Sequence, residues 1–389
     1  MSFCMLLSTA TDQKVGTKTS HILKTIQSED GDIIDCIEVY KQPAFDHPAL
    51  RNHTIQKRRE QMAPSFEGNK NDIIEGEDFH SKNMGMEVRQ VWKRRGVRCP
   101  KGTIPVRRTM NQQPLSSRAI RKPHYYFHTN NNFSSVQLAN HSKAILLTVG
   151  YRYLGAKGDI KVFNPNVEKD DEYTTSQVSL NNGPYYDYES VESGWAVNPS
   201  VYGDRQTRFF VYWTSDGSRT TGCFDLTCPG FVQTSNEIAL GAAIYPLPLP
   251  NALPYQITVY IFKDPMTNNW WVEYGEKIKI GYWPGEIFEA LRSNAESVEW
   301  GGEVYSTTVG HTPHTATGMG SGRFPDTMFG YSGIIKRIRI HDNSAALKFP
   351  EWVETFTDEF NCYDVLYVGD YIVDPEFYYG GPGKNPMCP

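Results

Sequence analysis

A chain of 389 residues with 13% aromatics, 23 Tyr and 8 Trp among them, has material for a large core and, at roughly 150 residues per domain, room for two domains. No apolar run approaches the roughly 18 residues of a membrane span, so no membrane partner is expected, and there is no internal repeat or long low-complexity tract. The net charge of −5 is unevenly spread: residues 1–130 sum to +7 and residues 131–389 to −12, which makes nucleic acid a poor partner for the body and suggests two units that attract each other.

Residues 1–29 read as a polar, poorly ordered N-terminus. Its apolar stretch Phe3 to Leu7 is shorter than the roughly 7–15 residues of a secretory h-region, so a signal peptide reads as truncated or missing. Ile33 to Tyr40 reads as a strand, followed by the proline-fixed segment Gln42-Pro43-Ala44-Phe45-Asp46-His47-Pro48. Arg89 to Arg98 is strongly basic, and the polar, Asn-rich stretch 110–134 carries the domain boundary, giving units of 30–130 and 131–389. Strands are predicted at Ala144 to Val149, Ile160 to Phe163, Gln177 to Leu180, Val191 to Val197 and Arg208 to Ser215, each bounded by turn residues. Further strands follow at Ile257 to Phe262, Trp270 to Tyr274, Lys277 to Tyr282 and Ile334 to Ile340. Gly285 to Ala295 reads as the one helix, with Ile287, Phe288 and Leu291 on one side, and the end around Phe377 to Gly383 reads as turns. Many short strands at regular spacing argue for an all-β, antiparallel β-sandwich of jelly-roll or concanavalin type, preceded by a small mixed domain.

Two strands each carry one carboxylate in apolar surroundings: Val191-Glu192-Ser193-Gly194-Trp195 and Trp300-Gly301-Gly302-Glu303-Val304. Because side chains alternate along a strand, Glu192 shares a face with Gly194 and Ala196, and Glu303 with Gly301 and Tyr305. Small neighbours leave open space above a carboxylate, while Val191, Trp195, Gly302 and Val304 point the other way, into the core. The expectation is that Glu192 and Glu303 meet across one sheet as an acid–base pair; the plainer alternative is that both are ordinary solvated acids.

Seven cysteines occur, and setting Cys4 aside leaves Cys36 and Cys99 in the front and Cys223, Cys228, Cys362 and Cys388 in the body, six residues with 15 possible pairings. None lies in a CxxC pattern with histidine partners, and His311 and His314 lack a third ligand in a fitting pattern, so no metal and no other cofactor is expected. Sequons at Asn52, Asn132 and Asn140, with an even set of cysteines, favour glycosylation in an oxidising, secretory compartment and hence a secreted protein. Ser321 is no nucleophile elbow, because Met319 stands where the first glycine of that motif belongs.

Taken together, Gly194-Trp195 with Pro199 and Tyr202-Gly203-Asp204, Phe210 with Tyr212-Trp213-Thr214, Thr221-Gly222-Cys223, and Cys228-Pro229-Gly230-Phe231-Val232-Gln233 resemble the plant neprosin family. So do Gly301-Gly302-Glu303-Val304, His314-Thr315, Met319-Gly320-Ser321-Gly322 and the ending Phe377-Tyr378-Tyr379-Gly380-Gly381-Pro382-Gly383. The front resembles that family's activation segment through Cys36, Gln42 to Pro48, Cys99-Pro100 and Gly102-Thr103-Ile104-Pro105. The resemblance implies a secreted glutamic endopeptidase made as a zymogen, cleaving after proline at acid pH, with Glu192 and Glu303 as its catalytic pair. It implies disulfides Cys36–Cys99, Cys223–Cys228 and Cys362–Cys388. It also implies a proline-rich peptide or protein as substrate, the chain's own propeptide as intramolecular inhibitor, and a monomer.

Two carboxylates held close share one proton, so the ionised one takes a proton from water while the other donates to the peptide. Paired carboxylates with aromatic platforms also suit a glycoside hydrolase, and a non-catalytic cell-wall or carbohydrate-binding protein is the third reading. The charge split predicts a front that covers the cleft of the body and loosens in acid, with Pro43 to Pro48 as one candidate plug.

Overall fold

The computed structural model describes residues 21–56, 90–93, 96–108, 125–127, 136–138, 140–184, 187–244, 255–328, 330–344, 346–369 and 374–389. The front contributes β1 (Ile22–Gln27), β2 (Ile33–Glu38) and β3 (Thr103–Arg107), which form a three-stranded antiparallel sheet. β1 lies where the sequence reads as poorly ordered: Ile26 is buried against Ile34, Cys36 and Trp92, and the Thr25 hydroxyl donates to Asp35 at 2.7 Å. One buried residue and a backbone ladder are enough to hold a strand whose alternation is otherwise weak. The Cys36–Cys99 disulfide closes this unit. A short hairpin of β4 (Tyr125–Phe127) and β5 (Val136–Leu138) follows, and most of the 110–134 stretch, Asn132 included, lies outside the described residues.

The body holds β6 (His141–Tyr153), β7 (Gly155–Lys161), β8 (Tyr173–Asn182), β9 (Glu189–Val197), β10 (Arg208–Thr214), β11 (Cys223–Phe224), β12 (Val232–Gln233), β13 (Gln256–Lys263), β14 (Trp270–Tyr274) and β15 (Ile278–Trp283). It continues with β16 (Ala295–Tyr305), β17 (Gly333–His341), β18 (Leu347–Lys348), β19 (Glu354–Thr357), β20 (Asp364–Val368) and β21 (Glu376–Gly380). One sheet runs β11-β10-β9-β8-β16-β6-β19, and the other runs β12-β15-β14-β13-β7-β17-β21-β20 with β18 beside β17. Neighbouring strands are antiparallel, and the two sheets pack face to face around one core. Trp195 of the first sheet donates its indole N–H to the Lys161 carbonyl of the second at 2.9 Å, and Trp300 to that of Lys157 at 3.0 Å. These bonds satisfy two buried indoles and fix the stacking of the layers. The protein is an antiparallel β-sandwich.

Two expectations fail locally. Gly285 to Ala295 is not a helix: Gly285–Ile287 is a single 3-10 turn, and Phe288 is extended at φ −118° and ψ 152°. Ile287, Phe288 and Leu291 are buried as predicted, but the backbone N–H groups of Glu289 and Leu291 donate to the Glu189 carboxylate at 2.7 and 2.6 Å. A side chain from β9 thus satisfies donors that a helix would have paired with its own carbonyls. The C-terminal segment read as turns contains β21, because the aromatic run Phe377-Tyr378-Tyr379 adds a strand between β17 and β20.

Candidate functional site

The first sheet turns Val178, Leu180, Val191, Trp195, Trp300 and Val304 into the core. Its other face carries Glu192, Gly194 and Ala196 on β9, Thr175, Gln177 and Ser179 on β8, and Glu299, Gly301 and Glu303 on β16. The register fixes their rows: Glu192–Ser179–Glu299, then Gly194–Gln177–Gly301, then Ala196–Thr175–Glu303. The two predicted glutamates therefore share one face, two strands apart and four residues offset along β8.

On a flat sheet this diagonal would hold the two α-carbons about 16 Å apart, taking roughly 3.3 Å per residue and 4.8 Å per strand. The sheet is not flat. Phe224 on β11 and Tyr173 on β8 lie along the same diagonal direction, three strands and six residues apart, a flat separation of about 24 Å. Their rings nonetheless meet edge to face with centroids 5.9 Å apart. The sheet is curled along that diagonal, and the same curl draws Glu192 and Glu303 toward each other over the row that contains Gln177.

The two carboxyls sit in different surroundings. Glu303 is fully buried; Tyr173 donates its hydroxyl to Oε1 at 2.9 Å, and His141 Nδ1 lies 2.8 Å from the same oxygen. Tyr305 stacks on Tyr173 at 5.3 Å and tilts against His141 at 4.9 Å, forming an aromatic wall beside Glu303. Lys143 donates to Glu299 at 2.8 Å; burial opposes its charge, but Glu299 first and Glu303 next hold it protonated well above the usual lysine range. Glu192 is 4% exposed and accepts from the Ser190 hydroxyl at 2.8 Å, with Tyr212 opposite it on β10. His141, Tyr173 and Gln177 were not singled out from the sequence. The signal for Gln177 was present in Thr175-Ser176-Gln177-Val178-Ser179-Leu180, polar at every second position on a central strand.

Two glycines shape the floor. A β-carbon at Gly194 would lie 1.9 Å from the Ser176 carbonyl oxygen, and one at Gly301 would lie 2.3 Å from that of Ala144. No side chain fits at either position, so Gln177 stands between two bare positions in its row.

Elsewhere, His314, Cys362 and Cys388 come together, but the two sulfurs are joined in a disulfide and hold no metal as thiolates. His314 bonds Glu359 instead, at 3.3 Å. His311 takes no part in that group. Cys223–Cys228 is the third disulfide, so all three pairs lie within the front or within the body. Asn52 is exposed, whereas the half-buried Asn140 bonds Tyr305. A cavity of about 210 Å³ lies between Arg107 of the front and Tyr202, Asp225 and Gly241 of the body, lined by neither glutamate.

The proline-fixed segment of the front docks on other parts of the body. Gln42 exchanges two hydrogen bonds with Gln233, at 3.0 and 2.7 Å, His47 packs on Trp213, and His53 meets the Tyr282 hydroxyl at 2.9 Å. The segment Pro43 to Pro48 thus lies near β12, β15 and the core-facing Trp213, and is not a plug over Glu192 and Glu303.

Among solved structures, the chain is similar to scytalido-glutamic peptidase bound to a peptide-based transition-state analogue, at 11% identity and a TM-score of 0.35, over 63% of this chain and 98% of that one. It is similar to SCP-B, a member of the eqolisin family of peptidases in complex with the tripeptide Ala-Ile-His, at 10% identity and a TM-score of 0.33, over 62% and 97%. It is also similar to CG-16, a homodimeric agglutinin from chicken liver, at 9% identity and a TM-score of 0.22, over 42% and 92%. These likenesses are too remote to carry a functional argument. The family profile "Neprosin activation peptide" matches residues 25–146 and the profile "Neprosin" matches residues 170–382, more than half of the chain, and the protein accordingly belongs to the neprosin family.

Proposed function

We propose that this protein is a secreted glutamic endopeptidase made as a zymogen, in which Glu192 and Glu303 activate a water to cut peptide bonds after proline in acid. Family membership and the activation segment support a peptidase. The observation that carries the catalytic assignment is the placement of two buried carboxyls, from strands far apart in sequence, on one curled and aromatic-walled face.

Glu303 is the base in this reading. The Tyr173 hydroxyl donates to it, which favours the charged form, and the Lys143 ammonium lies in its field. It takes one proton from the attacking water as oxygen bonds to the scissile carbonyl carbon. Glu192, protonated, gives its proton to the leaving nitrogen as the C–N bond breaks. Proton return from Glu303 to Glu192 through a new water restores the start. No covalent intermediate is required. The aromatic wall of Tyr173, Tyr305 and Phe224 suits the flat ring of a proline, as aromatic-lined grooves suit proline-rich segments.

Three disulfides fit an extracellular setting, and among the described residues no helix is long and apolar enough to cross a membrane. The test is to hold the full chain at acid pH and incubate it with a proline-rich peptide and, separately, with cell-wall glycans. Peptide cleavage that is lost in Glu192→Gln and Glu303→Gln supports the reading. Glycan cleavage, or glycan binding without hydrolysis of either substrate, overturns it in favour of a glycosidase or a binding protein.

A further inference from the structure

We propose that the carboxamide of Gln177 is a third catalytic group, holding the oxyanion of the tetrahedral intermediate while the two glutamates move protons; this rests on the endopeptidase reading above. Gln177 occupies the row between those of Glu192 and Glu303, on the strand that separates them. It is flanked on that row by Gly194 and Gly301, whose close backbone contacts exclude any side chain. Its side chain is 4% exposed, and its Oε1 has no hydrogen-bond partner among the described residues.

A buried amide oxygen without a partner is unfavourable and uncommon. Here it stands at the bottom of the curl, where a substrate peptide bond held between the two carboxyls would come to rest. A half-turn about χ3 exchanges Oε1 and Nε2, so the same side chain presents an acceptor to a bound water or a donor to an oxygen that is gaining charge. The chemistry needs such a donor. The base is ionised and repels an oxyanion, and the acid must surrender its proton to the leaving nitrogen. A neutral amide donates throughout without changing its protonation state, and donors already aimed at the developing charge are the most effective kind.

The experiment compares acid-treated full-length wild type with Gln177→Met, Gln177→Glu, Glu192→Gln and Glu303→Gln on one peptide. Gln177→Met is expected to lower kcat about 100- to 1,000-fold, the usual loss of one oxyanion donor, with KM changed less than about threefold. Its pH profile should keep its position, and its Tm should equal or exceed that of wild type, because an unpartnered buried amide oxygen is gone. Gln177→Glu has the same shape and should recover activity only toward lower pH, where its carboxyl is protonated and can donate. A Gln177→Met protein within about threefold of wild-type kcat, or one whose loss lies in KM or accompanies a fall in Tm, would overturn the proposal. Should Gln177→Met fail to fold, a Gln177→Glu protein with wild-type activity and an unchanged pH profile overturns it equally. An active wild type with both glutamate variants dead and Gln177→Met intact removes this inference alone. A wild type without peptidase activity removes the endopeptidase reading, and the inference with it.

Discussion

Arg208 of the body and Asp32 of the front are joined by a buried two-pronged ion pair, Nη1 to Oδ2 at 2.7 Å and Nη2 to Oδ1 at 3.1 Å. Arg107 adds a bond to Oδ1 at 2.7 Å, and Asp204 completes the group. The signs are the reverse of the bulk charge: the acid comes from the basic front and the arginine from the acidic body. Burial opposes ionisation of Asp32, but Arg208 and then Arg107 outweigh it and hold the carboxyl below its usual range. A lowered carboxylate contributes stability that is present above the unfolded value near 4 and is lost as pH falls through the folded value. The clasp therefore holds at neutral pH and opens only below about pH 4. Asp32→Asn should move acid release of the front to higher pH and make the front cleavable by added protease at pH 7, because breaking a buried pair costs about 3–5 kcal/mol. High salt at pH 7 should do little, since buried pairs are weakly screened. An Asp32→Asn chain with the wild-type release profile would refute the clasp.

The acid pair gives the second prediction. Glu192→Gln and Glu303→Gln should each reduce peptidase kcat at least ~100-fold while far-UV circular dichroism and Tm stay near wild type. Tyr173→Phe removes one donor to Glu303 without removing the acid, so activity should fall less and its lower pH limb should move upward. Substantial activity in either soluble glutamine variant would sink the assignment.

The body responds to pH with the opposite sign. Burial pushes both Asp225 and Asp358 up to about 7. A raised carboxyl contributes stability that is fully present below the unfolded value near 4 and is lost as pH rises through about 7. Tm should rise as pH is lowered from 8 to about 5, a window in which the Asp32 clasp remains closed. Asp225→Asn and Asp358→Asn, which keep the oxygens that accept from Val211 N–H and Lys143 N–H, should flatten that slope. A Tm profile unchanged in the double variant would show that other groups set it.

The disulfides give the last prediction. Non-reduced peptide mapping should find Cys36–Cys99, Cys223–Cys228 and Cys362–Cys388, with no bond from front to body. Cys362–Cys388 holds the C-terminal tail against the 311–318 loop, where Pro389 accepts from His314 N–H at 3.0 Å and Lys384 N–H donates to Thr315 at 2.7 Å. Replacing both cysteines by serine should lower stability by about 3 kcal/mol and expose that loop to proteolysis. Equal Tm values for variant and wild type would contradict it.

Alternation and turn chemistry were enough to read most of the body's strands, the sandwich, and the shared face of Glu192 with Gly194 and of Glu303 with Gly301, because a period of two is a local property of the chain. The same local reading failed at Gly285 to Ala295, where a carboxylate from a strand about 100 residues earlier takes the backbone donors that a helix would have used. It also missed Gln177 and the clasp. The pattern of β8 shows that Gln177 faces away from the core, but not that strands β9 and β16 bring a bare glycine to each side of it. Net charge predicted attraction between front and body, and Lys93–Glu237 and Arg107–Asp204 follow that sign, yet the most buried pair joins Asp32 to Arg208 against it, since a buried ion pair depends on two particular groups at contact distance and not on totals. Which face a residue takes is set by its neighbours in sequence. Which residues share a row, and whether a diagonal of that face closes, is set by strand order, register and the curl of the sheet, and these exist only once chain segments more than a hundred residues apart have paired.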